Sequence, residues 1–284
     1  MLFRIENMSL QVGLLFVTLL VGSYAFPAQE QNKSMFFNHT EPLVRIVGGT
    51  TARRVPFIVA LSTGVYIRNF VCGGSLITDR YVMTAAHCIQ AVFNGERLLN
   101  SLRATVGTNR WNSGGTIYRI ASNITHPNYV HSIIKNDIGF LITAEKVVMS
   151  TAVQPVVLNY DFVGAGVATT VIGWGRTSTN GSISRNLLQL SATVIDGNQC
   201  VKEVADRASQ LNMRVSAVQP HIEICTFLAS GRGTCNGDSG SPLIQSDRQQ
   251  QIGLVSWGLS CARGAPDMFV RISAYRSWIE QSIR

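Results

Sequence analysis

The sequence predicts an all-β protein with one C-terminal helix. Three observations carry that reading. Short apolar runs recur along the chain. Clusters of Gly, Asn and Ser separate them. Helical spacing appears in the last segment alone. The strand-like runs fall at 57–61, 71–77, 81–85, 102–106, 117–120, 138–141, 169–172, 188–194, 242–244, 252–256 and 268–272. Ile272, Tyr275, Trp278, Ile279 and Ile283 share one helical face, so 273–283 reads as a helix packed on the body. A body spanning 46–284 is large for one core. All-β proteins of that size form two packed barrels or one large sandwich. The segment 151–160, with Pro155 inside it, suits the crossing between two barrels. No repeat or low-complexity tract interrupts the pattern.

The N-terminus reads as targeting sequence. Arg4 sits in a short polar start, and an apolar run follows at 12–21. A membrane span needs about 20 apolar residues, so the run is short for a signal anchor. Ser23-Tyr24-Ala25 supplies the small residues of a cleavage site, which makes 1–25 a signal peptide cut after Ala25. Residues 26–45 then form a propeptide. It is polar, lacks Cys and carries Asn-x-Ser/Thr sites at Asn32 and Asn38, with further such sites at Asn123 and Asn180. All six cysteines lie beyond residue 45, an even number that fits disulfides in a secreted protein. Spacing alone leaves their pairing open.

The formal net charge is +8. Of the 24 basic residues, 4 are Lys (33, 135, 146, 202), so 20 are Arg. Arg keeps its charge well above the pH at which Lys loses it. Such a surface suits an alkaline fluid such as a gut lumen. Nucleic-acid binding is disfavoured, because the basic residues are scattered and form no run beyond Arg53-Arg54.

Three short motifs carry the chemistry. Thr84-Ala85-Ala86-His87-Cys88 ends an apolar run. Asp137-Ile138-Gly139-Phe140 begins another. Gly237-Asp238-Ser239-Gly240-Ser241-Pro242 lies near the C-terminus. A serine hydroxyl is protonated at neutral pH and becomes a nucleophile beside a base. His87 is the candidate base, since imidazole titrates near working pH. Asp137, followed by apolar residues, is the candidate carboxylate that fixes the imidazole's tautomer. Taken singly, a buried His, a strand-edge Asp and a Ser in a Gly turn are ordinary structural residues. Their joint occurrence is what points to nucleophilic catalysis.

The order His, Asp, Ser resembles that of the trypsin/chymotrypsin serine proteases. Arg45-Ile46-Val47-Gly48-Gly49, Gly173-Trp174-Gly175 and Ser256-Trp257-Gly258 complete a set of six motifs in family order and spacing over 46–284. The resemblance implies two packed six-stranded antiparallel β-barrels with a C-terminal helix. It also implies a secreted serine endopeptidase of 46–284, made as a zymogen and probed by protein protease inhibitors. The implied catalytic residues are His87, Asp137 and Ser239, with the backbone N–H groups of Gly237 and Ser239 as the oxyanion hole. Ser256, Trp257 and Gly258 would pair with the substrate backbone. A trypsin-like protease would cut after Arg45, and the new Ile46 ammonium would bury itself against Asp238. Asp238 is expected to turn inward only once that ammonium exists. The implied disulfides are Cys72–Cys88, Cys200–Cys225 and Cys235–Cys261. The substrates are proteins and peptides. No cofactor, metal, nucleic acid or stable membrane association is expected, and the enzyme is expected to act as a monomer. Ser241 departs from the family, which usually has Gly there.

Specificity is harder to read. The resemblance puts the pocket floor at Gly233, where trypsin carries Asp, and places Asp267 on the pocket wall, where most relatives carry Gly. That pair resembles the brachyurins, the broad-specificity collagenolytic branch. The enzyme is then chymotrypsin-like to broad in specificity, with a digestive role. Asp267 could instead pair with Arg263 or face away. A second reading, from a different class, is a catalytically dead family member used as a binding protein. The presence of His87, Asp137 and Ser239 argues against it.

Overall fold

The computed structural model describes residues 46–284 apart from Ser260. The expected signal peptide, 1–25, and the expected propeptide, 26–45, lie outside the described residues. The first six barrel strands are β1 (Ile58–Thr63), β2 (Asn69–Leu76), β3 (Tyr81–Thr84), β4 (Arg103–Val106), β5 (Thr116–Thr125) and β6 (Gly139–Thr143). They close antiparallel in the order β1-β2-β3-β6-β5-β4. The next six are β7 (Ala168–Gly173), β8 (Leu188–Val194), β9 (Glu223–Phe227), β10 (Pro242–Gln245), β11 (Gln250–Gly258) and β12 (Asp267–Arg271). They repeat the order as β7-β8-β9-β12-β11-β10, and Val194 opposite Thr226 closes the ring. Closure leaves no unpaired strand edge.

Strand sequence explains strand burial. Along β8, Leu188, Leu190, Ala192 and Val194 are buried, while Ser191 and Thr193 face solvent, the period-two pattern of a half-buried strand. β11 is buried almost end to end and reads as a continuous apolar run. One core contains Leu61, Leu76, Met83, Phe140 and Leu141, and Tyr275 and Ile279 from the chain end pack against it. A second core joins Ile46 to Val171, Leu190, Leu243 and Phe269. Between them Ile58, Ala60 and Phe70 of the first barrel meet Ile172, Trp174 and Ile244. The crossing segment bonds to both barrels. The Val156 N–H donates to Leu76 O, and the Asn159 N–H to Gln251 O.

Several elements differ from expectation. The run at 117–120 extends to Thr116–Thr125. β9 was not anticipated, because its charged first residue, Glu223, masks the apolar pattern. Helix α2 (Gly197–Gln210) was also missed. It buries Cys200, Val204 and Ala208, a stripe too narrow to show against a polar background, although Asp196 caps its first turn by accepting from Asn198 and Gln199. The C-terminal helix is split into a 3-10 turn, Ile272–Tyr275, and α3 (Arg276–Ser282).

Candidate active site

His87 sits on α1 (Ala86–Gln90), the single helical turn that follows β3. The Cys72–Cys88 disulfide ties that turn to β2. Asp137 precedes β6 and is 1% exposed. Its Oδ1 accepts the His87 backbone N–H at 2.8 Å, and its Oδ2 lies 2.8 Å from His87 Nδ1. The Ser256 hydroxyl donates to the same Oδ2 at 2.6 Å. A carboxylate is acceptor only, so Nδ1 carries the proton of the neutral ring and Nε2 keeps its lone pair. The hydroxyl of Ser256 was not anticipated as a partner of Asp137. The residue stood out only as part of a strand motif.

Ser239 comes from the second barrel and is 6% exposed. Its carbonyl accepts the Gly73 N–H at 2.9 Å, which docks the 233–241 loop on the first barrel. Gly240 has φ +75°, and a Cβ there would lie 2.2 Å from Thr84 Oγ1 and 2.6 Å from Gly73 O. A side chain at 240 is therefore excluded both by backbone conformation and by space, a few residues from His87. Gly240→Ala is expected to destabilise the fold by more than the roughly 1–2 kcal/mol of a left-handed non-glycine residue. It should also lower turnover by displacing Ser239. Thermal melts and kinetics on a peptide substrate check this. Ser239 shares a small hollow with Thr234, Cys235, Asn236, Val255, Ser256, Trp257 and Gly258. Gly237 takes φ +96° in the turn leading to it. Ser241 fits against Gly73 and Gly173, so the departure from Gly is accommodated by glycine on both neighbours.

Asp267 lies against Gly233. Its Oδ2 accepts the Thr234 N–H at 2.7 Å, and a Cβ on Gly233 would be 2.8 Å from that oxygen. A Cβ on Gly258 would be 3.6 Å from the other oxygen. The Asp267 carboxyl thus fills space that Gly233 leaves open. Pairing with Arg263 is not seen, since that guanidinium contacts Met213 Sδ at 3.7 Å. Burial pushes the Asp267 carboxyl up to about 7, against the pull of its bonds to Thr234.

Arg45 lies outside the described residues. Ile46 is 0% exposed and belongs to the second core, and Val47 exchanges two backbone hydrogen bonds with Gly233. Asp238 is also 0% exposed. It accepts the N–H groups of Gly175 at 2.9 Å and Cys235 at 3.3 Å. Asp238 thus occupies the inward position that the switch assigns to it. Burial raises its pKa well above the ordinary carboxyl range, against the pull of its two backbone N–H donors.

The other two disulfides join Cys200 to Cys225 and Cys235 to Cys261. Cys72, His87 and Cys88 bring ligand-type atoms within 4.8 Å of one another. Both sulfurs are disulfide-bonded, so they offer no thiolate to a cation. Among the described residues no helix is long and apolar enough to cross a membrane.

Comparison with known proteins agrees with this geometry. The family profile described as Trypsin matches residues 46–279. Chymotrypsin-2 of Vespa crabro is 33% identical over 84% of this chain and 99% of its own. Trypsin alpha-4 of Lucilia cuprina is 32% identical over 83% of this chain and 86% of its own. Trypsin of Xenopus laevis is 32% identical over 84% and 91% respectively. Relatives named trypsin and chymotrypsin stand at similar identity, so names alone do not separate the two specificities. The chain belongs to the trypsin family of serine proteases.

Proposed function

We propose that the protein is a secreted serine endopeptidase, made as a zymogen, that cleaves peptide bonds through a Ser239 acyl-enzyme. The observation that carries the proposal is the doubly bonded His87–Asp137 pair on the first barrel, to which the Ser239 carbonyl is docked through the Gly73 N–H. Ser239 Oγ attacks the scissile carbonyl carbon while His87 Nε2 takes its proton. The C–O bond forms as the carbonyl π bond opens, and the oxygen becomes an anion. Backbone N–H groups of Gly237 and Ser239 stabilise that anion. His87 then protonates the leaving amine, the C–N bond breaks, and the acyl group remains on Ser239. Water, deprotonated by His87, repeats the attack and releases the acid. Asp137, bonded to Nδ1, orients the ring and stabilises the imidazolium. Ser256, Trp257 and Gly258 pair with the substrate backbone.

A sulfonyl fluoride reagent tests the assignment. Mass spectrometry of the inactivated enzyme is expected to place one adduct on Ser239. An adduct elsewhere, or none, contradicts it.

Residues 1–25 direct secretion in this reading, and the three disulfides suit an oxidising compartment. A trypsin-like protease removes 26–45. The Arg-rich surface and a broad specificity suit a digestive enzyme acting as a monomer in an alkaline gut. Of the glycosylation motifs in the described part, Asn180 lies exposed in a loop, whereas Asn123 is half-buried in β5 and donates to Thr125.

The pocket is assigned mixed specificity at the residue before the cut. The Asp267 carboxyl over Gly233 admits Phe, Tyr or Leu when neutral and offers Arg or Lys a partner when ionised. Asp267→Gly is expected to remove most Arg and Lys cleavage and to leave Phe cleavage equal or better. The change in relative preference should be about 1–3 kcal/mol. An unchanged Arg-to-Phe ratio would take Asp267 out of the pocket. The ratio should also depend on pH. The free carboxyl titrates at about 7, so its neutral form dominates below and its anion above. The ratio of kcat/KM for Arg over Phe substrates is expected to rise as pH passes through about 7 and then level off.

A further inference from the structure

Lys135 and Glu223 form a buried ion pair that links the first barrel to the second, and the reaction above does not use it. Lys135 Nζ lies 2.7 Å from Glu223 Oε1, with side chains 4% and 5% exposed. Lys135 stands two residues before Asp137, and Glu223 opens β9. The same Oε1 accepts the indole N–H of Trp257 at 2.6 Å, and Oε2 accepts the Gln219 N–H at 2.6 Å. The Lys135 ammonium also lies 4.7 Å from the Trp257 ring centroid. Burial pulls the Lys135 pKa down, and Glu223 opposes that pull.

The backbone around Lys135 is bent at a cost. Ile134 has φ 47° and Asn136 φ 55°. A β-branched residue in the left-handed region is strained and persists where its surroundings hold it. Each residue of this stretch is fastened to a different element. Ile134 is buried in a cluster with Cys200, Cys225 and Trp257. Asn136 accepts the Tyr275 hydroxyl at 3.0 Å and donates to Asn128 O at 2.7 Å. Asp137 holds His87 and Ser256. Lys135 ties the stretch to Glu223 and Trp257. A buried ion pair is weak support for stability, because desolvation cancels much of its attraction. A geometric role fits these contacts better than a stabilising one.

We propose that Lys135 and Glu223 are positioning residues, which hold Trp257 in register with the Asp137 loop across the cleft and so set the fit of substrate residues preceding the cut. The proposal rests on the site reading above, in which Trp257 lies on the substrate-pairing segment. Lys135→Met and Glu223→Gln, singly and together, test it after cleavage at Ile46. Active sites are counted by covalent labelling of Ser239. Each single variant strands a buried charge and is expected to melt lower. The double variant removes both charges and is expected to regain most of that loss. It is nonetheless expected to lose at least about tenfold in kcat/KM on a four-residue amide, the scale of a small misplacement. On a single-residue ester, which reaches only the Gly233 pocket, the loss should stay within about twofold by the same argument.

A stable double variant with the parent's activity on the four-residue amide overturns the proposal. So does an equal loss on both substrates, which would mark general damage. If the double variant does not fold, Glu223→Asp keeps the charge but retracts it by one methylene. It is expected to show the same selective loss, and parental behaviour there also overturns the proposal. A parent enzyme that takes no label at Ser239 overturns the site reading itself, whereas a fully labelled parent with indifferent variants overturns the positioning role alone.

Discussion

Ser239→Ala is expected to fold as the parent does and to lose about 10⁶ in turnover. The loss follows from the geometry. His87 and Asp137 are bonded to each other at 2.8 Å, so removing the hydroxyl leaves them in place with nothing to activate. What remains is substrate binding and any stabilisation of the oxyanion by backbone donors. His87→Ala should cost nearly as much, and the double variant little more, because nucleophile and base act as one unit. The measurement is kcat on a peptide amide with highly purified variants, beside a thermal melt. Retention of even a tenth of parental turnover in Ser239→Ala would remove Ser239 from the mechanism.

Asp238→Asn is expected to make cleavage after Arg45 ineffective. Asp238 is buried with two backbone donors, and burial raises its pKa against their pull. Asparagine matches the side chain in size but carries no charge. After cleavage the proposed partner is the Ile46 ammonium, which asparagine cannot neutralise. Burying an ammonium without its partner costs about 3–5 kcal/mol, a factor of more than 100 in the active population. Trypsin treatment of Asp238→Asn should yield an N-terminus at Ile46 with almost no gain in activity. A gain equal to the parent's would contradict the switch. Arg45→Gln should likewise resist activation. The pH dependence follows the same pair. Pairing raises the ammonium's folded pKa above the unfolded value of about 8. Its stabilisation is complete below the unfolded value and is lost as pH rises through the folded one. The parent should therefore lose its active form only as pH rises through that raised folded value, above the mildly alkaline range, and lowering the pH should restore it.

Much of this was legible in the sequence. His87, Asp137 and Ser239 stand in motifs whose neighbours are dictated locally. Gly240 must lack a side chain because of its φ and the nearness of Thr84, and Cys88 is fixed beside His87 by its bond to Cys72. Strand runs such as 188–194 matched because their alternation is itself the burial pattern. Helix α2 and strand β9 were not legible, since the first shows only three buried residues and the second opens on a buried charge.

By itself the sequence determined the all-β architecture, the chain order of the catalytic motifs and the residue types available to them. These depend on periodicity and on chemistry carried by neighbours in the chain. The tertiary structure alone decided which distant groups meet. Ser256 reaches Asp137 across 119 positions, Asp267 fills the space over Gly233, and Lys135 finds Glu223 across 88. Asp238 finds its backbone donors at Gly175, 63 positions away, and at Cys235. Hydrogen bonds and ion pairs act over a few ångströms in space, and separation along the chain places no limit on which partners the two barrels bring together.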